Sequence, residues 1–319
     1  MKKIPFVIQR ARFSALLYLI VIISVLISSC ANEFERLSTS KPSWLGENIY
    51  KQLEEGYTDQ DGKVYKFSTY LQLIEDLKYG EVLKLTGSKT LFVADDAAFE
   101  RFYQSNSWGV KSYSSFSLAQ KKLIFNTFML DNAYLIELMS NVTGPIEDVA
   151  MRRITSQSLI DTISYVKNEG MPINSNWDYY RDKGMYLVKD DTPYSMLHFL
   201  QPQMTFKGIT NEDFAFIFGE NRNDNDAHIF GDKVVVRDIT CKNGYLNILK
   251  DVIIPPSNMA EVIRETPETQ IFSSILERYA APFYAQKVTD QYKSNNLGFN
   301  DSIFLKKIFC REKHRRIYF

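Results

Sequence analysis

A basic segment followed by an apolar run opens the chain. Lys2, Lys3, Arg10 and Arg12 carry positive charge ahead of an apolar stretch that extends from Phe13 to Ser29. This order is typical of a secretory signal. The run is about 17 residues long, whereas a membrane-spanning helix usually needs roughly 20 residues. The pattern therefore favours export, and an uncleaved membrane anchor is the alternative.

The apolar run ends in Ile27-Ser28-Ser29-Cys30, which resembles the lipobox of bacterial lipoprotein precursors. The resemblance implies that Cys30 receives a diacylglycerol, becomes the first residue after cleavage, and is acylated on its amine, for example with palmitate. Several acyl chains together make such an anchor stable. The implied location is the cell outer membrane, and the acidic stretch 31–35 agrees with the surface exposure of some such lipoproteins. Ordinary secretion, with Cys30 as a plain cysteine, is the alternative.

Apolar residues at helical spacing predict two helices early in the mature chain. Residues 31–43 are polar and contain Ser, Thr and Pro, which predicts a tether. The first helix is predicted from Trp44 to Leu53, and Gly56 closes it. The second lies within Phe67 to Leu85 and is broken at Gly80, because its apolar residues share one face up to that point.

A short β run, Thr90 to Ala94, leads directly into two carboxylates, Asp95 and Asp96. A carboxylate in this place can accept hydrogen bonds from the first amides of a helix. The pattern therefore predicts a strand, a cap and a helix in succession. The stretch from Leu118 to Met139 predicts a further long helix with an internal break.

The pattern loosens between Asn141 and Thr192, and we interpret this region as strands and loops inserted into the domain. Alternation of apolar and polar residues from Met185 to Val188 predicts one strand there. After the insertion, a short helical turn is predicted at Met196 to Leu200. The apolar run from Phe214 to Phe218 is predicted as a strand.

Two β runs follow, Lys233 to Ile239 and Gly244 to Ile254, and Asn243 and Gly244 mark the turn between them. Asn-Gly between β runs predicts a hairpin because both residues tolerate a positive φ. Pro255-Pro256 ends the second run.

These landmarks together resemble the fasciclin-like (FAS1) domain family. The first box of that family, a strand that runs into a helix carrying Ala-Phe, stands here as Thr90 to Phe99 (TLFVADDAAF). The second box, a hairpin that ends in Pro-Pro, stands here as Val234 to Pro256. The resemblance covers about residues 44–257. It implies an α+β fold, a compact β-sandwich or wedge with packed helices, and a role in adhesion.

Two departures from the family limit what the resemblance implies. Asp95 stands where the first box has a proline. The family's Tyr-His pair, which is associated with adhesion, should fall in the helical region from Ile124 to Leu130, and this stretch has no histidine. Adhesion through that pair is therefore not expected here.

The sequence predicts four segments. They are a lipoprotein signal peptide (1–30), a tether (31–43), a FAS1-like domain (44–257) with an insertion around 141–192, and the start of a second, truncated FAS1-like domain (258–319). Within the last segment, Thr269 to Tyr292 repeats the opening helical theme with Ile271, Ile275, Leu276 and Tyr279 on one face, but no second pair of boxes follows. Residues past about 295 are expected to lack a core, and the chain ends in a basic tail, 309–319.

Charge and cysteine content exclude several classes of protein. Lys plus Arg and Asp plus Glu number 38 each, so no strong field draws the chain to nucleic acid. The chain is 45% hydrophobic, which suits a globular body and argues against disorder. With Cys30 in the anchor, only Cys241 and Cys310 remain, too few for a disulfide-built fold. A single Cys241–Cys310 disulfide is the minor alternative.

Candidate chemistry is sparse. No pair of histidines stands at ligand spacing and no Cys-x-x-Cys is present, so neither a metal site nor a cofactor site is expected. His198, among apolar residues, is interpreted as a partly buried and hydrogen-bonded side chain. The loop 220–226 offers several oxygens to calcium but lacks the spacing of a helix-loop-helix calcium site, and an Asx-rich turn is the alternative. The motifs at 161–163 and 301–303 resemble bacterial O-glycosylation acceptors.

The sequence therefore predicts a non-enzymatic, lipid-anchored envelope protein that binds an extracellular glycan or protein. An accessory subunit of an outer-membrane nutrient-uptake complex is the second hypothesis. A polymer hydrolase is the third, and its carboxylates would have to come from scattered positions such as Asp95, Asp96, Asp224 and Asp226.

Overall fold

Helices and strands mix along the chain, which makes the fold α+β. The computed structural model describes residues 46–85, 87–142 and 149–308. Cys30, the predicted tether and the basic tail lie outside the described residues. From Glu47 onward the described residues belong to one compact unit. No helix among them is long and apolar enough to cross a membrane.

The helices are short, and several begin at a side chain that accepts a hydrogen bond from the first turn. Asn48, Asp95, Ser117, Thr210 and Asn258 each act in this way, which satisfies amides that have no partner inside the helix. The prediction that Asp95 or Asp96 caps the helix is confirmed, and the cap is Asp95. The helices are α1 (Ile49–Glu55), α2 (Ser68–Asp76), α3 (Gly80–Lys84), α4 (Asp96–Gln104), α5 (Leu118–Asn126), α6 (Asp178–Arg181), α7 (Gln201–Lys207), α8 (Asn211–Phe218), α9 (Met259–Glu265), α10 (Gln270–Arg278) and α11 (Gln286–Asn295).

The strands form three sheets. They are β1 (Tyr57–Thr58), β2 (Val64–Tyr65), β3 (Lys89–Ala94), β4 (Met129–Leu130), β5 (Arg152–Ile154), β6 (Ser164–Val166), β7 (Met185–Val188), β8 (Ser195–Phe199), β9 (His228–Ile229), β10 (Asp232–Cys241), β11 (Gly244–Leu249), β12 (Ala280–Tyr284) and β13 (Ile303–Ile308). β1 pairs with β2. A seven-stranded sheet has the order β4-β3-β11-β10-β9-β8-β5, and a four-stranded sheet has the order β12-β13-β7-β6.

The seven-stranded sheet curls until its two end strands meet. The amide of Ser156, just after β5, donates to the carbonyl of Met129 in β4 at 2.9 Å. The inner face of the curled sheet buries one core, to which Phe92, Met196 and Ile229 contribute. A larger core lies between the outer face of β3 and β11 and the helices α1, α2, α4 and α5. The sheet is therefore covered on both faces around β3.

The strands of the two sequence boxes are neighbours in this sheet. β3 and β11 pair in parallel, with Thr90 opposite Tyr245 and Ala94 opposite Leu249. Leu91 belongs to the helix-covered core, whereas Phe92 belongs to the inner core. This alternation follows from the two-residue repeat of a strand. The central pair thus separates the two cores.

A tight turn joins β10 to β11, and the predicted hairpin is confirmed. Gly244 has a φ of 140°, and a Cβ atom at this position would lie 1.7 Å from the carbonyl oxygen of Lys89. Only glycine fits so close to a neighbouring strand. The expectation that both turn residues tolerate a positive φ applies in practice to Gly244 alone.

Asn243 fastens two helical segments to this turn through its buried side chain. Its Oδ1 accepts from the amide of Ile49 at 2.9 Å, at the start of α1. Its Nδ2 donates to the carbonyls of Leu83 at 2.7 Å and Leu85 at 2.9 Å, at the end of α3. One amide side chain therefore satisfies three backbone groups, which would otherwise be buried without partners.

The four-stranded sheet joins the predicted insertion to the C-terminal segment. β6 and β7 come from the insertion and β12 and β13 from the C-terminal segment, with β13 parallel to β7. Ile303 and Leu305 are buried, so the expectation that residues past about 295 lack a core is wrong as far as residue 308. The predicted strand Met185 to Val188 is confirmed. β5, which also falls in the range predicted as the insertion, belongs to the seven-stranded sheet.

Several predicted elements differ from the structure. The helix predicted from Leu118 to Met139 ends at Asn126, because the chain then enters β4 beside β3. The turn predicted at Met196 to Leu200 is strand β8, which pairs with β5 and β9. The strand predicted at Phe214 to Phe218 lies in α8, whose start is fixed by a capping box between Thr210 and Asp213.

The stretch from Thr269 to Tyr292, which is predicted to repeat the opening helices, contains two helices, α10 and α11, with strand β12 between them. Most of the predicted apolar face is uncovered: Ile271 is 81% exposed, and Ile275 and Tyr279 are at least half exposed, whereas Leu276 is partly buried. Phe272 is exposed as well. The apolar side of α10 therefore faces away from the cores of the described residues.

Replacing Asn243 with alanine tests the role of the turn. We expect Asn243→Ala to lower the free energy of unfolding by about 3 kcal/mol or more, since three buried backbone groups lose their partner. Lys242→Ala is the matched control. The Lys242 side chain is exposed and pairs only with Glu47 at 3.3 Å, so it should cost less than about 1 kcal/mol. Urea unfolding measures both values, and equal losses would contradict the assignment.

Candidate functional site

A cleft of about 930 Å³ among the described residues is the candidate site. The cleft is lined by the loop after α4, by α5, by α9 and the turn that follows it, and by residues that come after β5, β7 and β11. The lining residues include Trp108, Gln157, Asp161, Lys189, Tyr194 and Glu265, together with Pro255 and Pro256.

Two aromatic side chains line the cleft. The ring of Trp108 packs edge-on against Phe102, with 6.4 Å between ring centroids. The loop that carries Trp108 is braced by Asn106, whose Nδ2 donates to the carbonyls of Phe102 and Val110 at 2.7 Å each. Tyr194 is half-buried, and burial raises the pKa of its hydroxyl. Neither the Trp108 indole N–H nor the Tyr194 hydroxyl has a hydrogen-bond partner among the described residues.

Gln157 supplies an acceptor without a partner. The side chain is 6% exposed, and its Nε2 donates to the carbonyl of Ser158 at 3.3 Å. Its Oε1 has no hydrogen-bond partner within the described part of the chain. A buried acceptor in this state costs free energy, and a ligand in the cleft can reach it only if the Gln157 side chain turns outward, because the atom itself is inaccessible.

The charged residues of the cleft are mostly paired. Asp161 accepts from Lys122 at 2.6 Å, and Lys189 pairs with Glu261 at 2.8 Å. Glu265 has no ion-pair partner among the described residues. The site therefore combines apolar rings with amide, hydroxyl and carboxylate groups that can accept or donate hydrogen bonds.

The carboxylates considered for a hydrolase do not meet in this cleft. Asp95 caps α4, and Asp96 accepts from the amides of Ser68 and Thr69 at 3.0 and 2.8 Å at the start of α2. Asp224 accepts from Asn211, and Asp226 pairs with Lys233. All four thus hold local structure, and none lines the cleft.

The loop 220–226, which offers oxygens to calcium, is held in place by the side chain of Arg222. Arg222 donates to the side chains of Gln201 at 2.9 Å and Asn211 at 2.6 Å, and to the carbonyl of Asp226 at 2.6 Å. Its guanidinium takes up oxygens that a metal ion would need. No cluster of His, Cys, Asp and Glu in the described ranges could hold a metal ion. This geometry agrees with an Asx-rich turn.

His198 is more deeply buried than predicted, and the prediction that its ring is hydrogen-bonded is wrong. It is fully buried in β8, and neither ring nitrogen has a hydrogen-bond partner among the described residues. The Met139 carbonyl beside it accepts from Arg153 Nε at 2.7 Å instead. Burial, together with the charge of Arg153, lowers the pKa of His198 to about 4.

Cys30, the predicted lipid attachment site, lies outside the described residues, and so does Cys310. Cys241 is a buried free cysteine, and burial raises the pKa of its thiol to about 12. A thiol in this state is unreactive. In the two candidate glycosylation motifs, Ser302 is exposed, whereas Thr162 donates to the carbonyl of Leu159 at 2.8 Å.

The cleft residues could not be found from a sequence motif. Trp108, Gln157 and Tyr194 stand far apart in the chain and belong to no spacing pattern. The one available signal was Pro255-Pro256, which ends the second box and lines the cleft. Pairing of distant strands brings the other residues to it.

Comparison with known proteins does not assign the chain to a family. No protein-family model matches the chain, and no curated protein matches it. The fold and the cleft therefore have to be interpreted from the residues themselves.

The two buried histidines predict a pH dependence of stability. His228 is also buried, and its pKa is lowered to about 4, mainly by burial. Between pH 6.5 and 4 the unfolded chain binds protons that the folded chain does not, so stability falls as the pH falls. The loss should approach about 3 kcal/mol per histidine.

The free energy of unfolding of His198→Leu, measured between pH 7.5 and 4, tests whether the buried histidines cause this pH dependence. The stability of His198→Leu should fall with pH by about half of the amount that the two histidines cause together. The separate variant His228→Leu should show a reduction of the same size. Burial raises the pKa of Asp232 to about 6, which acts in the opposite direction, but this contribution is common to all three proteins. An unchanged pH dependence in both variants would refute the assignment.

Proposed function

We propose that this chain is a lipid-anchored cell-envelope protein whose FAS1-like domain binds a glycan or a protein outside the cytoplasm. The lipobox-like ending at Cys30 supports the anchor. The two sequence boxes support the domain, because the strands β3 and β11 that they supply pair in parallel. A curled sheet covered by helices is also the arrangement expected of a FAS1-like wedge.

The cleft observation that carries the proposal is the presence of two aromatic side chains, Trp108 and Tyr194, whose N–H and O–H groups have no partner among the described residues. Sugar hydroxyls both donate and accept hydrogen bonds and can pair with these two groups. The apolar faces of a sugar ring can pack on Trp108 and Tyr194, which combine an apolar body with a polar tip. We therefore favour a glycan as the ligand of the cleft, bound without a covalent step.

A second candidate function is favoured by the exposed face of α10. Ile271, Phe272, Ile275 and Tyr279 lie uncovered on one short helix, and an exposed apolar patch of this kind marks a protein-contact surface. Such a surface suits an accessory subunit of an outer-membrane nutrient-uptake complex. Copurification with a barrel or a binding lipoprotein, lost on Ile271→Asp, would favour this role over free adhesion.

Glycan binding predicts that Trp108→Ala weakens binding of oligosaccharides. We expect immobilised oligosaccharides on an array to retain the wild-type protein, and titration of the best one to show an affinity loss of about tenfold or more for Trp108→Ala. Phe216→Ala is the matched control, because Phe216 is an aromatic residue that is 92% exposed and does not line the cleft. An array without any bound oligosaccharide, or equal affinities for the two variants, would count against the cleft.

The anchor predicts that Cys30→Ala abolishes labelling by a palmitate analogue and releases the protein from the membrane fraction. Surface exposure predicts that protease added to intact cells digests the wild-type protein. Protection until the cells are lysed would place the protein in the periplasm, and an assembly role would then replace adhesion. Persistent labelling of the Cys30→Ala variant would contradict attachment at Cys30.

A further inference from the structure

The seam between the two end strands of the seven-stranded sheet is joined at both of its ends. At one end the Ser156 amide donates to the Met129 carbonyl at 2.9 Å, and at the other the Ala150 amide donates to the Ser140 carbonyl at 2.8 Å. Between these two bonds, the segment from β4 onward is longer than the strand β5 that faces it. Segments of different length cannot pair residue by residue, so the seam encloses a gap.

A groove of about 430 Å³ occupies this gap. One side is formed by Leu130, Asp131, Asn132 and Tyr134, and the other by residues 152–155. Its volume lies within the range of small-molecule sites, roughly 300–1,000 Å³. The groove and the large cleft have no described lining residue in common. The gap is therefore a separate candidate site for a small ligand.

The register of β5 directs two of its amides into the gap. The Thr155 amide donates to the Tyr194 carbonyl at 3.0 Å, and alternate residues of an antiparallel strand direct their backbone groups to the same side. β5 pairs with β8 alone. The N–H and C=O groups of Arg152 and Ile154 therefore point toward the gap, where no backbone group of the described residues pairs with them.

The charges around the gap favour an anion. Arg152 is exposed and has no ion-pair partner among the described residues, and Arg153 also lines the groove. Asp131 is the acidic lining residue, and its carboxylate already pairs with Lys89. Two cations thus face one carboxylate that is neutralised by a third cation, which leaves a positive potential for a negatively charged ligand.

The other groups of the gap suit a ligand with hydroxyls and an apolar body. The Tyr134 hydroxyl accepts from the Asn132 side chain at 3.3 Å, and its own O–H has no acceptor among the described residues. Ile154 is 67% exposed and offers apolar surface. The carbonyls of Arg152 and Ile154 can accept from hydroxyl groups, whereas the two amides beside them can donate to an anion.

We propose that this gap binds an acidic sugar, with the carboxylate of the sugar on Arg152. The planar guanidinium of arginine matches a carboxylate through two parallel hydrogen bonds. The Ile154 amide and the Tyr134 hydroxyl donate to further oxygens of the sugar, and the carbonyls of β5 accept from its hydroxyls. This site does not rest on the proposed glycan cleft, because binding here does not involve Trp108.

The test uses the full chain in mild detergent and two sugars, methyl glucuronide and methyl glucoside, which differ by the carboxylate. We expect a titration followed by ligand-observed NMR to show that the wild-type protein binds the glucuronide about tenfold more tightly. Arg152→Gln should remove this preference. Arg278→Gln is the matched control, since it makes the same change of net charge on an exposed residue outside the groove, and it should keep the preference.

Ile154→Pro tests the contribution of the backbone amide. Proline removes the N–H that points into the gap and is not used in the ladder with β8, so an edge strand tolerates it. We expect the affinity for the glucuronide to fall by about fivefold. Ile154→Thr keeps the N–H and should retain most of the binding.

Trp108→Ala separates this site from the large cleft. The preference for the glucuronide should persist in Trp108→Ala, even if this variant no longer binds neutral oligosaccharides. The proposal is overturned if neither sugar binds the wild-type protein, if both bind equally, if the preference persists in Arg152→Gln, or if it disappears in Trp108→Ala.

Discussion

The close approach of Gly244 to Lys89 is the constraint on which the rest of the fold depends. A Cβ atom at residue 244 would lie 1.7 Å from the Lys89 carbonyl oxygen, so only glycine lets β11 start directly beside β3. Because these strands pair in parallel, their register fixes which side chains face the helices and which face the inner core. Asn243, one residue earlier, then holds α1 and α3 against the same turn.

A second asparagine on the same hairpin shapes the curl of the sheet. Asn247 Oδ1 accepts from the Asp238 amide at 2.8 Å, where the pairing of β10 with β11 is shifted and Asp238 has a φ of 57°. A bulge of this kind bends a strand and increases its twist. The Asp238 carboxylate in turn accepts from the Ile136 amide at 2.9 Å. The curl brings β4 and β5 together at Ser156, yet leaves Arg152 and Ile154 unpaired.

Sequence reasoning found the elements whose local signals agree with their place in the fold. The strand at Met185, the cap at Asp95 and the turn at Asn243 carry such signals, and the structure has all three. The strand prediction for Phe214 to Phe218 was wrong. The capping box of Thr210 starts a helix just before this apolar run, and the run lies within that helix. The sequence did not reveal the cleft. Gln157 and Trp108 lie far apart in the chain and meet only through long-range strand pairing, so no local sequence pattern marks them.

The cleft depends on the segment 258–319, which the sequence predicts to be the start of a separate domain. Glu265 and Pro267 form part of its wall, and they belong to the range predicted as the start of another domain. β12 and β13 tie that range to β7 of the predicted insertion, while Gln157 and Asp161 reach the cleft from the same insertion. The predicted insertion and the C-terminal segment thus share one sheet and line one cleft. A role for the insertion and the C-terminal segment in ligand binding explains this shared sheet better than a separate, incomplete domain does, because a separate domain would not need to pair with the insertion.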